Sequence, residues 1–358
     1  MINQELIHFI EMSRYAGERF DLVQAGGGNT SVKYDGNKMY IKASGFLLSE
    51  VSTTKGFCTV LTDKVVSIMD DLDVVDEADK RKKDMLASQK LNGAIFDGDN
   101  RPSIETYLHS LLYKYTLHVH AIAVNVFTSD KDWRNKLNEL DSRALLVPYE
   151  TPGIALALLL KDLLARYKSA NGRLPKLVFL QNHGLIISSD NYEEVEELTE
   201  RIVKKAERKA GLNFSRYRST NMISRCYNRA FDSSNTTYLS EDKTIEDLLR
   251  RVRLEFLQRP FSPDGFVFCG YSVLYLQELS EKEFTKYRNR YYEEPKMIVY
   301  DGHLYIVAAD LKKAKMIEDV FKNNLLIANA LDNDLNFLEA SEIEFLGNWE
   351  AEKYRKEL

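Results

Sequence analysis

The chain has 358 residues, enough for about two domains with real cores, so a single small disulfide-stapled module is excluded. Hydrophobic residues make up 44% and charged residues 29%, with only 7 Pro and 17 Gly, which is the make-up of a folded globular protein rather than a disordered or fibrous one. The net charge of −5 lacks the basic excess that binding to a phosphate backbone needs, so nucleic acid is not an expected partner.

Leu6, Ile7, Phe9, Ile10 and Met12 recur at near-helical spacing and predict a first helix over 3–18. With Glu5 and Glu11 inside that pattern, and no basic start followed by a small-residue cleavage site, a secretory signal is not expected. Gly26-Gly27-Gly28-Asn29-Thr30-Ser31 follows, then two β-like runs, Met39–Ala43 and Cys58–Leu61. The Asp- and Lys-rich stretch Asp70–Ala87 suits a surface excursion. A helix is expected from Ser103, then an apolar strand at Ala121–Phe127, and a helix over Ile154–Tyr167 after Pro152-Gly153. That helix opens with the longest apolar run, seven residues from Ile154 to Leu160, whereas a membrane helix needs roughly 18 or more, so a membrane is not an expected partner.

Leu177–Leu180 and Leu185–Ile187 bracket Asn182-His183-Gly184 as strands, and Asp190 with Glu193 resembles a capping box opening a long helix to Ala210. The turn-rich Asp232–Thr237 reads as a linker, which places a boundary between a domain over 1–235 and a smaller α/β domain over 236–358. In the latter, helices are expected at Ile245–Leu257 and Leu311–Leu331, and strands at Phe266–Phe268, Met297–Tyr300 and Leu304–Val307. No catalytic group is expected there. Cys58, Cys226 and Cys269 are scattered without a C-x-x-C pair, which suits reduced thiols and a cytoplasmic location.

Chemistry concentrates in the first domain. His118 and His120 form H-x-H, and residues i and i+2 of a strand share a face about 6.5 to 7 Å apart, so both imidazoles can reach one metal ion. His183, followed by a glycine, can close the triangle, leaving a fourth position open as in catalytic zinc-type sites. Spacing alone equally allows an exposed strand edge and a turn histidine. Ser103 is a natural N-cap with Glu105 in the first helical turn; a helix-start role suffices for this Glu, while its place upstream of H-x-H allows a general acid/base. His109 is expected to be a buried hydrogen-bonding residue. The glycine loop matches neither G-x-G-x-x-G nor the P-loop; with Lys42-Ala43-Ser44-Gly45 it offers N–H and hydroxyl donors for an anion, or two ordinary tight turns.

Taken together, the segments resemble the class II aldolase and adducin family over about residues 1–212. Gly28-Asn29-Thr30-Ser31-Val32 is similar to its G-N-x-S loop, Lys42–Gly45 to its phosphate turn, Pro102-Ser103-Ile104-Glu105 to its P-S-x-[ED] segment, and His118-Val119-His120 and Asn182-His183-Gly184 to its metal-ligand motifs. Val147-Pro148-Tyr149 with Pro152-Gly153 matches the intervening turn. Within the family, Pro102–His109 and the C-terminal extension, ending Trp349-Glu350-Ala351-Glu352, are most similar to rhamnulose-1-phosphate aldolases, in particular the aldolase part of bifunctional aldolase/dehydrogenase proteins.

The resemblance implies an α/β/α sandwich around a mixed, largely antiparallel sheet, with a divalent metal (zinc first, manganese, cobalt or iron as alternatives) on His118, His120 and His183, and Glu105 as acid/base. It implies substrate or phosphate contacts from Gly28, Asn29, Thr30, Ser44, Gly45 and Ser103, and a homo-oligomer of tetrameric type. The implied reaction is cleavage of a sugar, as a ketose 1-phosphate, to dihydroxyacetone phosphate and an aldehyde through a metal-stabilised enediolate. Epimerisation, dehydration or decarboxylation on the same site are the alternatives, and a metal-free adducin-like module is the non-enzyme one. Two departures stand out. Ile104 replaces a second Ser found in many phosphate-binding members, and the aromatic proton donor has only Tyr149 as a candidate, from its place beside Pro148.

Overall fold

The computed structural model describes residues 3–251, 259–332 and 334–348. The expected end of the helix at Ile245–Leu257 and the segment Trp349–Glu352 therefore lie outside the described residues. The chain divides into two compact units, Met1–Phe214 and Ser215–Leu358.

The first unit is built on eight strands: β1 (Asn29–Tyr34), β2 (Lys38–Lys42), β3 (Phe57–Leu61), β4 (Ile95–Asp97), β5 (Tyr115–Val119), β6 (Leu145–Val147), β7 (Leu177–Leu180) and β8 (Gly184–Ser189). They form one sheet in the order β4-β3-β2-β1-β5-β8-β7-β6, antiparallel throughout except for the parallel β6–β7 pair. The central strands are apolar at consecutive positions because both faces are covered. Leu185 and Ile187 face a core shared with the helices Gln4–Gly17, Ile122–Thr128, Trp133–Leu140 and Tyr192–Ala210. Ile186 faces the other core, shared with Thr62–Ile68, Lys80–Asn92, Thr106–Ser110 and Ile154–Asn171. The result is the expected three-layer sandwich.

Three expectations are corrected. Ala121–Phe127 is not a strand: the strand ends at Val119 and residues Ile122–Thr128 are helical, with Ala123, Val124 and Phe127 buried. A short apolar run carries no period strong enough to separate the two. Asp70–Ala87 lies mostly at the surface as expected, and holds the helix Leu72–Val75 and the start of Lys80–Asn92. The long helix is capped by Asn191, which accepts from the Glu193 amide, whereas Asp190 accepts from the Lys114 amide. Glu105 stands at the N-cap position of Thr106–Ser110, one residue before that helix.

The second unit holds β9 (Thr236–Leu239), β10 (Leu274–Leu276), β11 (Met297–Tyr300) and β12 (His303–Ala308) in a sheet ordered β10-β11-β12-β9. Its core gathers Ile306 with Ala314, Ile317, Phe321 and Leu325 from the helix Leu311–Ala330. Phe266–Phe268 lies not in a strand but in the helix Pro263–Cys269, which Ser262 starts by accepting from the Gly265 amide with Pro263 behind it. The boundary also moves, from 235 to Phe214/Ser215, with the helix Ser215–Phe231 in the second unit. Asp232–Thr237 is a tight connection to β9 rather than a linker: the Asn228 side chain accepts from the Asn235 amide at 2.9 Å and donates to its carbonyl at 2.8 Å.

Candidate metal centre

Alternation along β5 turns Leu117 and Val119 toward the first core and leaves His118 on the opposite face, fully buried. Its Nδ1–H donates to the Leu185 carbonyl on the neighbouring strand at 3.1 Å, which aims the Nε2 lone pair inward. His120 follows just past the strand end, and His183 occupies the β7–β8 turn. That turn is fixed by a left-handed residue, Asn182 with a φ of 55°, and by two hydrogen bonds: the Asn182 amide donates to the Thr128 carbonyl at 3.0 Å, and the Asn125 side chain donates to the His183 carbonyl at 3.1 Å.

The three rings converge. His118 Nε2 lies 3.1 Å from His120 Nε2 and 3.3 Å from His183 Nε2, and Glu105 Oε1 stands 3.4 Å and 3.3 Å from His118 and His183 Nε2. The four donor atoms lie within 4.8 Å of one another. Nitrogens bound at about 2.0–2.1 Å to a tetrahedral zinc would stand about 3.3 Å apart, so the donor set has the size and chemistry of a divalent-metal site.

Burial and mutual charge act differently on the three groups of the cluster that shift. Burial, with the neighbouring His118 and His183, drives His120 down to about 3. Burial disfavours the charged form of His118 too, yet the Glu105 carboxylate beside it leaves its pKa raised. Burial works against ionised Glu105, and the two histidines still hold it well below the usual carboxylate range.

Two glycines make room for the rings. A Cβ on Gly184 would stand 2.4 Å from the Val119 carbonyl oxygen and 3.1 Å and 3.2 Å from ring carbons of His118 and His120; one on Gly27 would stand 2.7 Å from His120 Nδ1. Since a backbone oxygen cannot step aside, Gly184→Ala is expected to cost about 1–3 kcal/mol, read as a lowered denaturant midpoint, and to weaken metal binding. An unchanged midpoint and metal affinity would contradict this packing account.

The expected substrate residues are only partly gathered. Asn29 pairs with His118 across the β1–β5 ladder and is buried, with its Oδ1 lacking a protein partner. Gly28 precedes it with a φ of 74°, and a Cβ there would stand 3.0 Å from the His118 carbonyl oxygen. Ser44 and Gly45 form an exposed turn after β2, where the Ser44 amide donates to the Arg101 carbonyl at 2.9 Å. Ser103 Oγ accepts from the Glu105 amide at 3.3 Å. Thr30 requires a correction, since its side chain faces the other core, fully buried and 2.5 Å from Ser13 Oγ, and therefore cannot present its hydroxyl at the cluster. Tyr149 is exposed, its backbone amide held by the Gln181 side chain at 3.0 Å, and no contact joins its hydroxyl to the cluster.

Lys42 was read as part of the donor-rich Lys42–Gly45 turn, but its ammonium was not singled out as a site group. It is 3% exposed, Nζ donates to the Gly26 carbonyl at 3.4 Å, and burial lowers its pKa while Glu105 and Glu50 oppose the shift. A lysine flanked by Ile41 and Ala43 in a strand was the available signal.

An eight-stranded mixed sheet between two helical layers thus carries three histidines and a carboxylate whose donor atoms could hold a metal ion. The chain belongs to the family described as Class II Aldolase and Adducin N-terminal domain, whose sequence profile matches residues 8–209, more than half of the chain. Over 199 residues it is 28% identical to a Bacillus subtilis (strain 168) protein named uncharacterized oxidoreductase YuxG, a match covering 51% of this chain and 26% of that one. Among solved structures, the N-terminal class II aldolase domain of a conserved Thermoplasma acidophilum protein is 24% identical with a TM-score of 0.50, covering 59% of this chain and 95% of that one. A sugar-phosphate aldolase from Thermotoga maritima is 16% identical with a TM-score of 0.39, over 59% and 97% of the two chains. Among the described residues no helix is long and apolar enough to cross a membrane.

Proposed function

We propose that this chain is a metal-dependent aldolase that cleaves a sugar, as a ketose 1-phosphate, to dihydroxyacetone phosphate and an aldehyde. The observation that carries this reading is the convergence of three imidazole Nε2 atoms and the Glu105 carboxylate on one point. His118, His120 and His183 would hold the ion, with zinc favoured by the nitrogen-rich set. When bound, the metal supplies Lewis-acid stabilisation of the negative charge that develops on substrate oxygens as the carbon–carbon bond breaks.

The rest is done by the chain itself. Glu105 Oε1 moves the proton at the substrate carbon that gains or loses charge, its Ser103-bound backbone setting its entry to the site. Lys42 and Asn29, both buried beside the cluster, take the polar end of the substrate together with the Ser44-Gly45 turn and Ser103. The Ile104 position, exposed between Ser103 and Glu105, removes one hydroxyl from that set, which shifts the weight of anion binding onto Lys42. Tyr149 as proton donor and a homo-oligomeric assembly belong to the same reading. Metal analysis of the purified protein together with product analysis on a ketose 1-phosphate panel tests it. Stoichiometric metal with release of dihydroxyacetone phosphate is expected; absence of bound metal after supplementation, or epimerised or decarboxylated products in place of cleavage, would overturn it.

A further inference from the structure

The odd-numbered residues of β1 lie on one face of the sheet, and each meets something that matters to the centre. Asn29 pairs with His118 and Ser31 with Thr116 in the β1–β5 register. Thr30 and Val32 point the other way, to Ser13 and the first core. Ser31 Oγ lies 2.8 Å from His109 Nδ1, in a fully buried hydrogen bond. Lys33 Nζ donates to the Ser110 carbonyl at 2.8 Å and also to the Leu112 carbonyl.

The helix so gripped, Thr106–Ser110, is five residues long, far too short to hold its shape through its own hydrogen-bond ladder. It is also the element that delivers Glu105, whose carbonyl accepts from the His109 amide at 3.3 Å. Ser31 therefore fixes the residue bonded to Glu105, and Lys33 satisfies carbonyls at the far end that the helix leaves without partners. Lys33 is half-buried there, and desolvation pulls its pKa to about 8, with Asp190 opposing.

We propose that Ser31 and Lys33 are positioning residues that register the Glu105 carboxylate against the histidine cluster, with β1 as the ruler between the metal-ligand strand and the acid/base helix. The inference rests on the metal-centre reading above and adds residues outside the substrate and metal sets.

Cobalt(II), loaded in place of the native ion, gives a visible spectrum that reports the groups around the metal. Lys33→Met is expected to keep cobalt stoichiometry and a cooperative thermal transition, yet to move the cobalt bands by at least half of the change that Glu105→Gln produces. Lys33→Arg, which still donates to two carbonyls, is expected to restore the wild-type spectrum. Ser31→Ala, a milder change should Lys33→Met fail to fold, is expected to shift the bands in the same direction. A cobalt spectrum identical to wild type in Ser31→Ala and in any folded Lys33→Met would overturn the proposal and leave the metal centre standing. Failure of the wild-type protein to bind cobalt would remove the centre and this inference with it.

Discussion

Glu105→Gln should leave the fold and the saturating metal content intact while lowering turnover by about two to four orders of magnitude, the usual contribution of a positioned general acid/base. The amide has the size and shape of the carboxylate, so the 12% exposed side chain keeps its place among His118 and His183. What it loses is the ability to bind and release a proton. Its two histidine neighbours hold the carboxyl well below the usual carboxylate range in the ion-free site. The measurement is kcat for release of dihydroxyacetone phosphate, alongside metal per chain. Turnover within a few-fold of wild type would return Glu105 to a helix-start residue. Loss of metal in step with activity would make it a ligand alone.

Strand geometry placed His118 and His120 within reach of one ion but left a strand edge and a turn histidine equally open, with Glu105 a helix-start residue; it was the resemblance in motif order that joined the four. The meaning of Gly184 sharpened only in three dimensions, where Val119 and two imidazoles occupy the space of a Cβ. The three-layer sandwich was legible for the same reason, since the resemblance in motif order carried a whole topology that periodicity alone could not supply.

What failed shares a cause: composition does not say which side a residue faces or what it packs on. Thr30 sits inside the right motif but on the wrong face, because a single step along a strand reverses the side chain. Ala121–Phe127 and Phe266–Phe268 are apolar runs whose helical state is set by neighbouring elements and, in the second case, by the Ser262-Pro263 start. Asp232–Thr237 has a linker's composition, yet its polar groups are consumed by Asn228. The partners of Lys42 and Lys33 were not readable, since lysine is ordinarily solvated and only the tertiary structure shows what the ammonium meets.

His118→Ala attacks the other half of the centre and should affect a different quantity. His118 is the hub: its Nε2 is the atom within 3.1–3.4 Å of His120, His183 and Glu105 alike, and its own orientation is fixed by the Leu185 carbonyl. Removing a supporting hydrogen bond from a ligand costs about 10–100-fold in metal affinity, so removing the ligand itself should cost more than that. The thermal transition gives an independent reading. Ion binding to the folded state stabilises the wild type by about 2.7 kcal/mol when the free ion is at about 100 times its Kd, whereas a variant whose Kd has risen more than 100-fold gains less than about 0.5 kcal/mol at the same concentration. Zinc titration followed by thermal denaturation is therefore expected to raise the midpoint of wild type and of Glu105→Gln, and to leave that of His118→Ala almost unmoved. A zinc-dependent rise in His118→Ala equal to that of wild type would mean that the ion sits elsewhere, and the four-donor centre would have to be abandoned.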